Sequence, residues 1–109
     1  MKSLSLIALA IAAVTVSLPA AAVDAKAADA LVRKSKCLTC HAVDKKKDGP
    51  PYREIAAKYK GKPDAEEKLI KHVTVVSKVE VEGKEEDHEV LKTDDPAAVK
   101  NVVEWILSL

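Results

Sequence analysis

Residues 37–41 read Cys37-Leu38-Thr39-Cys40-His41, two cysteines at i and i+3 with a histidine directly behind the second. On one turn of chain the two thiols face the same side. This spacing is the one that attaches a c-type haem: the thiols form thioethers with the two vinyl groups and the histidine is aimed at the iron. The other chemistry open to a C-x-x-C pair is a thiol redox centre or a disulfide. A thioredoxin-like pair wants a βαβ setting, however, and none surrounds Cys37. An iron held this way has two axial positions, and His41 fills one. In small electron carriers the second ligand is commonly a methionine thioether, yet the single methionine of this chain is Met1. The donors left for the other face are His72, His88 or a lysine amine; otherwise that face stays open.

Four helical segments are expected to position the motif. The first, from about Ala25 to Lys36, carries Ala28, Leu31 and Val32 at helical spacing and leads directly into Cys37. The second, Tyr52 to Tyr59, has Tyr52, Ile55, Ala56 and Tyr59 at i, i+3, i+4 and i+7, bounded by Pro50-Pro51 and Gly61. The third begins near Pro63-Asp64, where Asp64-Ala65-Glu66-Glu67 has capping-box chemistry, and carries Leu69, Ile70 and Val73. The last starts at Asp95-Pro96, an N-cap followed by proline at N1, and its stripe is Val99, Val102, Val103, Ile106 and Leu107 with Trp105 beside it. Between the third and fourth helices, Val79 and Val81 alternate with Lys78, Glu80 and Glu82. Gly83-Lys84 and a second short run at Glu89-Val90-Leu91 follow, which reads as a small β-hairpin or extended loop.

A chain of 109 residues is too short for more than one domain. Residues 1–25 read as a secretory signal peptide: Lys2 supplies the positive start, Leu4 to Leu18 the apolar run, and cleavage is expected after Ala22 or Ala25. Residues 26–109 then form the folded domain. An uncleaved membrane anchor is the competing reading, but the apolar run is short for a span. A domain this small usually needs a staple, metal or cofactor. Aromatic residues make up 3% of the chain and Phe is absent, so a haem would supply apolar mass that the side chains lack. The net charge of +1 and charged fraction of 32%, mixed in sign, exclude a nucleic-acid footprint and suit a soluble surface making transient contacts.

Taken together, these marks resemble the short bacterial class I cytochromes c over essentially the whole chain after residue 25. They are the helix ending in Cys37-Leu38-Thr39-Cys40-His41, the Asp48-Gly49-Pro50 that follows, the stretch Tyr52 to Lys62, and the C-terminal Val102-Val103-Glu104-Trp105-Ile106-Leu107. The resemblance implies a mostly α fold with N- and C-terminal helices crossing around a haem core, Val102, Trp105 and Ile106 meeting Leu31 and Val32. It also implies that the Pro50 carbonyl takes the free N–H of His41, orienting the ring and raising its basicity. The family's distal ligand is a methionine in the loop before the C-terminal helix. Here His88 occupies that loop, ahead of Trp105 by an interval like the family's own. His72 lies instead on the third helix.

The resulting expectation is a periplasmic electron carrier with one covalent haem c, ligated by His41 and His88 and bound through Cys37 and Cys40. It would be low-spin, of relatively low potential, and not an enzyme. Its partners would be redox proteins docking transiently, with Lys34, Lys36 and Lys45-Lys46-Lys47 near the exposed haem edge. Neither nucleic-acid binding nor stable membrane insertion is expected. The alternative function is a gas-binding or sensory haem c protein, in which the position of His88 would be labile or open.

Overall fold

The computed structural model describes residues 10–15 and 22–109; residues 1–9 and 16–21 of the expected signal peptide lie outside them. Helix α1 (Ala25–Lys34) starts where the Asp24 carboxylate accepts the N–H of Ala27 at 2.9 Å, a conventional N-cap. It ends two residues earlier than the expected Lys36. Ser35 caps it, and Lys36 takes a left-handed backbone (φ 62°) that swings the chain into a short 3-10 turn, Cys37–Thr39.

Helix α2 (Tyr52–Tyr59) has the bounds its periodicity predicts. Helix α3 (Ala65–Thr74) begins after Asp64, but Asp64 makes no capping hydrogen bond; its carboxylate pairs instead with Lys68 at 2.9 Å. The expected capping box is therefore not formed. Helix α4 (Pro96–Leu107) has proline in its first turn and Asp95 accepting from Ala97 N–H at 3.0 Å, as read from the sequence.

Strands β1 (Lys78–Val81) and β2 (Lys84–Asp87) form an antiparallel hairpin in which Val81 faces Lys84 and Lys78 faces Asp87. Its two-residue turn is Glu82-Gly83, both at positive φ (51° and 77°), the geometry that matches strand twist. The second strand is thus Lys84–Asp87 and not the run at Glu89-Val90-Leu91. Leu91 leaves the hairpin altogether: its N–H donates to the Val73 carbonyl at 2.8 Å and its side chain is buried in the core.

The core joins α1 to α4, with α2 and α3 packed against the other sides of α4. Ala28 and Val32 of α1 meet Val99, Val102, Trp105 and Ile106 of α4, together with Tyr52 and Leu91, and Leu31 packs at the margin. This is the crossing of N- and C-terminal helices that the stripes imply. A further tie joins the same ends: Asp24 N–H donates to Asn101 Oδ1 and Asn101 Nδ2 donates to the Asp24 carbonyl, both at 2.8 Å. Among the described residues no helix is long and apolar enough to cross a membrane.

Candidate haem site

A cavity of about 610 Å³ opens between the haem motif, α2, α3, α4 and the hairpin. Its walls carry Cys37, Cys40, His41, Gly49, Pro50 and all three histidines of the chain, backed by Val32, Leu69, Leu91, Val103 and Ile106. A second, open depression between α1 and α4, lined by Ala27, Leu31, Ala98 and Asn101 among others, holds neither cysteine nor histidine.

The proximal side is built from backbone. The N–H of His41 donates to the Cys37 carbonyl at 3.0 Å, closing the turn that carries both cysteines, which are not bonded to each other. Gly49 N–H donates to the Cys40 carbonyl at 2.7 Å, and Tyr52 N–H to the Ala42 carbonyl at 2.8 Å, so the loop returns under His41. There the ring's Nδ1–H donates to the Pro50 carbonyl at 2.7 Å. A carbonyl can only accept, which places the proton on Nδ1 and leaves Nε2 with a free lone pair. Gly49 is required by space: a Cβ built on it would lie 2.7 Å from His41 Cε1.

Tyr52 was visible in the sequence only as part of a helical stripe. In the fold it is buried, stacks on His41 (centroids 5.2 Å apart, planes 22°) and meets Trp105 edge-on at 5.8 Å. Burial, and secondarily the neighbouring Cys37, pushes its hydroxyl pKa upward and keeps it neutral. Burial likewise raises the Cys37 thiol, opposed by a hydrogen bond with Tyr52.

The distal side is carried by residues 77–92. His88 N–H donates to the Ser77 carbonyl at 2.7 Å, Leu91 N–H to the Val73 carbonyl, and Lys92 N–H to the hydroxyl of fully buried Ser35, each at 2.8 Å. This charge-rich stretch is thus anchored at three points. His88 faces His41 across the cavity with ring centroids 6.2 Å apart and planes at 66°. Two imidazoles sharing one metal at the usual ~2.0 Å nitrogen–metal distance place their centres roughly 6 Å apart, so this donor pair fits one iron between them. His72, expected at the edge of α3, also reaches the cavity wall, its ring 4.1 Å from that of His88. Burial first, then the charge of His41, lowers the His72 pKa; burial, then His72 and His41, lowers that of His88. Both rings therefore resist protonation below their ordinary range and present neutral nitrogens at pH 7. Lys36 and Lys58 also border the cavity.

An apolar cavity, a cysteine pair opening onto it and two facing imidazoles define a c-type haem protein, and residues 25–109 match the family model for cytochrome c. The chain belongs to the cytochrome c family, and its cofactor is a covalently bound haem c. It adopts the class I fold. It is similar to the class 1 cytochrome MtoD of Sideroxydans lithotrophicus ES-1, with 52% identity and a TM-score of 0.76 over 80% of this chain and 97% of that one. Cytochrome c552 of Nitrosomonas europaea shares 30% identity with a TM-score of 0.58, covering 73% of this chain and 96% of that one. Cytochrome c2 of Rhodocyclus tenuis is 36% identical over 88 residues, 73% of this chain and 89% of that protein. Against cytochrome c-551 of Pseudomonas aeruginosa the match is 38% over 45 residues, 41% of this chain, and spans 43% of that protein's length.

The close approach at Gly49 makes a direct prediction. Gly49→Ala should displace the His41 ring, weakening the Pro50 hydrogen bond and producing a high-spin fraction in the ferric absorption spectrum. Gly61→Ala, which has open space around it but a φ of 76°, should cost about 1 kcal/mol in denaturant unfolding and leave the spectrum unchanged. Equal spectra for the two variants would contradict this account of Gly49.

Proposed function

We propose that this chain is an exported, low-spin monohaem cytochrome that carries single electrons between partner proteins, with His41 and His88 as its two axial ligands. The observation that carries this reading is the 6.2 Å separation of the two rings across the cavity into which Cys37 and Cys40 open. Cys37 and Cys40 hold the group covalently, which supplies a one-electron iron couple when bound. Pro50 fixes the tautomer of His41, and the anchored distal loop holds His88 in place. Little rearrangement on electron transfer is what a carrier needs. Replacing the family's thioether with imidazole favours the ferric state and lowers the potential.

With both faces of the iron filled there is no vacancy for a substrate, and no enzymatic role is assigned. A gas-binding role would need a distal ligand that leaves easily, against which stand the three hydrogen bonds holding residues 88–92. His72 is the competing distal donor because of its position beside His88.

The docking surface expected around the haem motif is partly borrowed for structure. Lys47 Nζ donates to the Leu38 carbonyl at 2.6 Å and braces the attachment turn, while Lys34, Lys36, Lys45 and Lys46 are exposed. Those four lysines are the part available to a redox partner, and the contact they make would be transient. A periplasmic localisation is supported by the expected signal peptide and by the need to attach haem outside the cytoplasm.

Of the two cleavage points, the fold favours Ala22. Val23 packs against the core, and Asp24 both caps α1 and pairs with Asn101; cleavage after Ala25 would remove all of this. Intact-mass measurement of the exported protein should give a chain beginning at Val23, and a chain beginning at Lys26 would refute that choice.

Carbon monoxide added to the reduced protein at neutral pH should bind slowly or not at all, because His88 occupies the distal face. His88→Met should raise the reduction potential, whereas His72→Met should leave it nearly unchanged. Prompt CO binding by the wild-type protein would replace the carrier reading with the gas-binding one.

A further inference from the structure

Among the described residues two buried side-chain polar atoms have no hydrogen-bond partner, Ser77 Oγ and His88 Nδ1. The two residues are already joined, since His88 N–H donates to the Ser77 carbonyl at 2.7 Å. They are also neighbours across the hairpin. Lys78 is paired with Asp87 at the open end of the ladder, and Ser77 and His88 are the next residues outward on each strand. Residues facing each other in an antiparallel pair project their side chains to the same side, with Cβ atoms about 5 Å apart. The serine hydroxyl is therefore within a side-chain rotation of the imidazole nitrogen.

The positions of the two side chains differ in a way that matters. His88 lines the cavity and Ser77 does not, so the hydroxyl reaches the ring from outside the cavity. Two adjacent buried polar groups left unmet are costly, and a single hydrogen bond between them removes both costs.

We propose that Ser77 Oγ accepts the Nδ1–H of His88, so that Ser77 is the positioning residue of the distal ligand as Pro50 is of the proximal one. The inference rests on the reading of His88 as that ligand. With the proton held on Nδ1, Nε2 presents its lone pair to the iron, and the ring gains basicity from the hydroxyl behind it. The hairpin then acquires a function: its register brings Ser77 to His88.

The test uses the holoprotein with Ser77→Ala and Ser77→Thr. Two readouts apply: the rate at which cyanide displaces the distal ligand from the ferric iron, and the reduction potential. Ser77→Ala should take up cyanide about tenfold faster than wild type and have a higher potential, because a less basic imidazole stabilises ferric iron less. Ser77→Thr keeps the hydroxyl and should behave as wild type in both. An alanine variant indistinguishable from wild type, or a threonine variant that matches the alanine one, would overturn the assignment. Failure of the underlying reading is separately visible: prompt CO binding by the reduced wild-type protein removes His88 from the iron, whereas refusal of CO with an unmoved Ser77→Ala removes only Ser77's role.

Discussion

The separation of the His41 and His88 rings is set by two backbone systems that reach the cavity from opposite sides. On one side the turn Cys37–Thr39, the Gly49 contact and the Pro50 carbonyl hold His41. On the other, bonds to Ser77, Val73 and Ser35 hold the segment that bears His88. Helix α1 takes part in both, since Lys36 redirects the chain into the haem motif while Ser35, one residue earlier, receives the N–H of Lys92. A rigid proximal loop with a free distal one would not hold a ring-to-ring distance of 6.2 Å. Joining the two at Ser35–Lys36 lets the end of a single helix reference both histidine-bearing segments.

The same cavity explains how so small a domain is stabilised with so little aromatic mass. The chain has one Trp, two Tyr and no Phe. Its fully buried side chains are mostly valines, Val32, Val102 and Val103, and Val32 and Val103 line the void between the helices. Side chains of this size do not fill a gap of about 610 Å³. Covalent attachment brings the missing apolar surface into the middle of the core, so the cofactor adds to the stability of the folded domain. Tyr52 shows the economy of this arrangement: one ring packs on Trp105, stacks on His41 and neighbours Cys37, linking α4 to the site.

Local signals were legible in the sequence and non-local ones were not. The bounds of α2, the start of α4 and the haem motif are all encoded by neighbours within a few residues: periodicity, a cap, a proline, a C-x-x-C-H. The end of α1 was misplaced because no residue type announces a left-handed Lys36. The apolar run Glu89-Val90-Leu91 suggests the second arm of a hairpin or an extended loop; the polar run Lys84–Asp87 forms the strand instead, since the Glu82-Gly83 turn sets the register and Leu91 is drawn into the core. The role of Ser35 depends on a partner 57 residues away and could not be read from either end. His72 is exposed, in keeping with its place at the edge of the α3 stripe. Its position on α3 was clear, but the rotation that sets its ring against His88 belongs to the packing of α3 on α4.

His88, and not His72, is proposed as the imidazole opposite His41. Near-infrared magnetic circular dichroism of the ferric protein reports the axial ligand pair through its charge-transfer band. With His88 on the iron, the wild-type protein should show a bis-imidazole band that persists in His72→Gln and is lost in His88→Gln. A wild-type protein without that band, or one whose band disappears with His72 and survives the loss of His88, would contradict it.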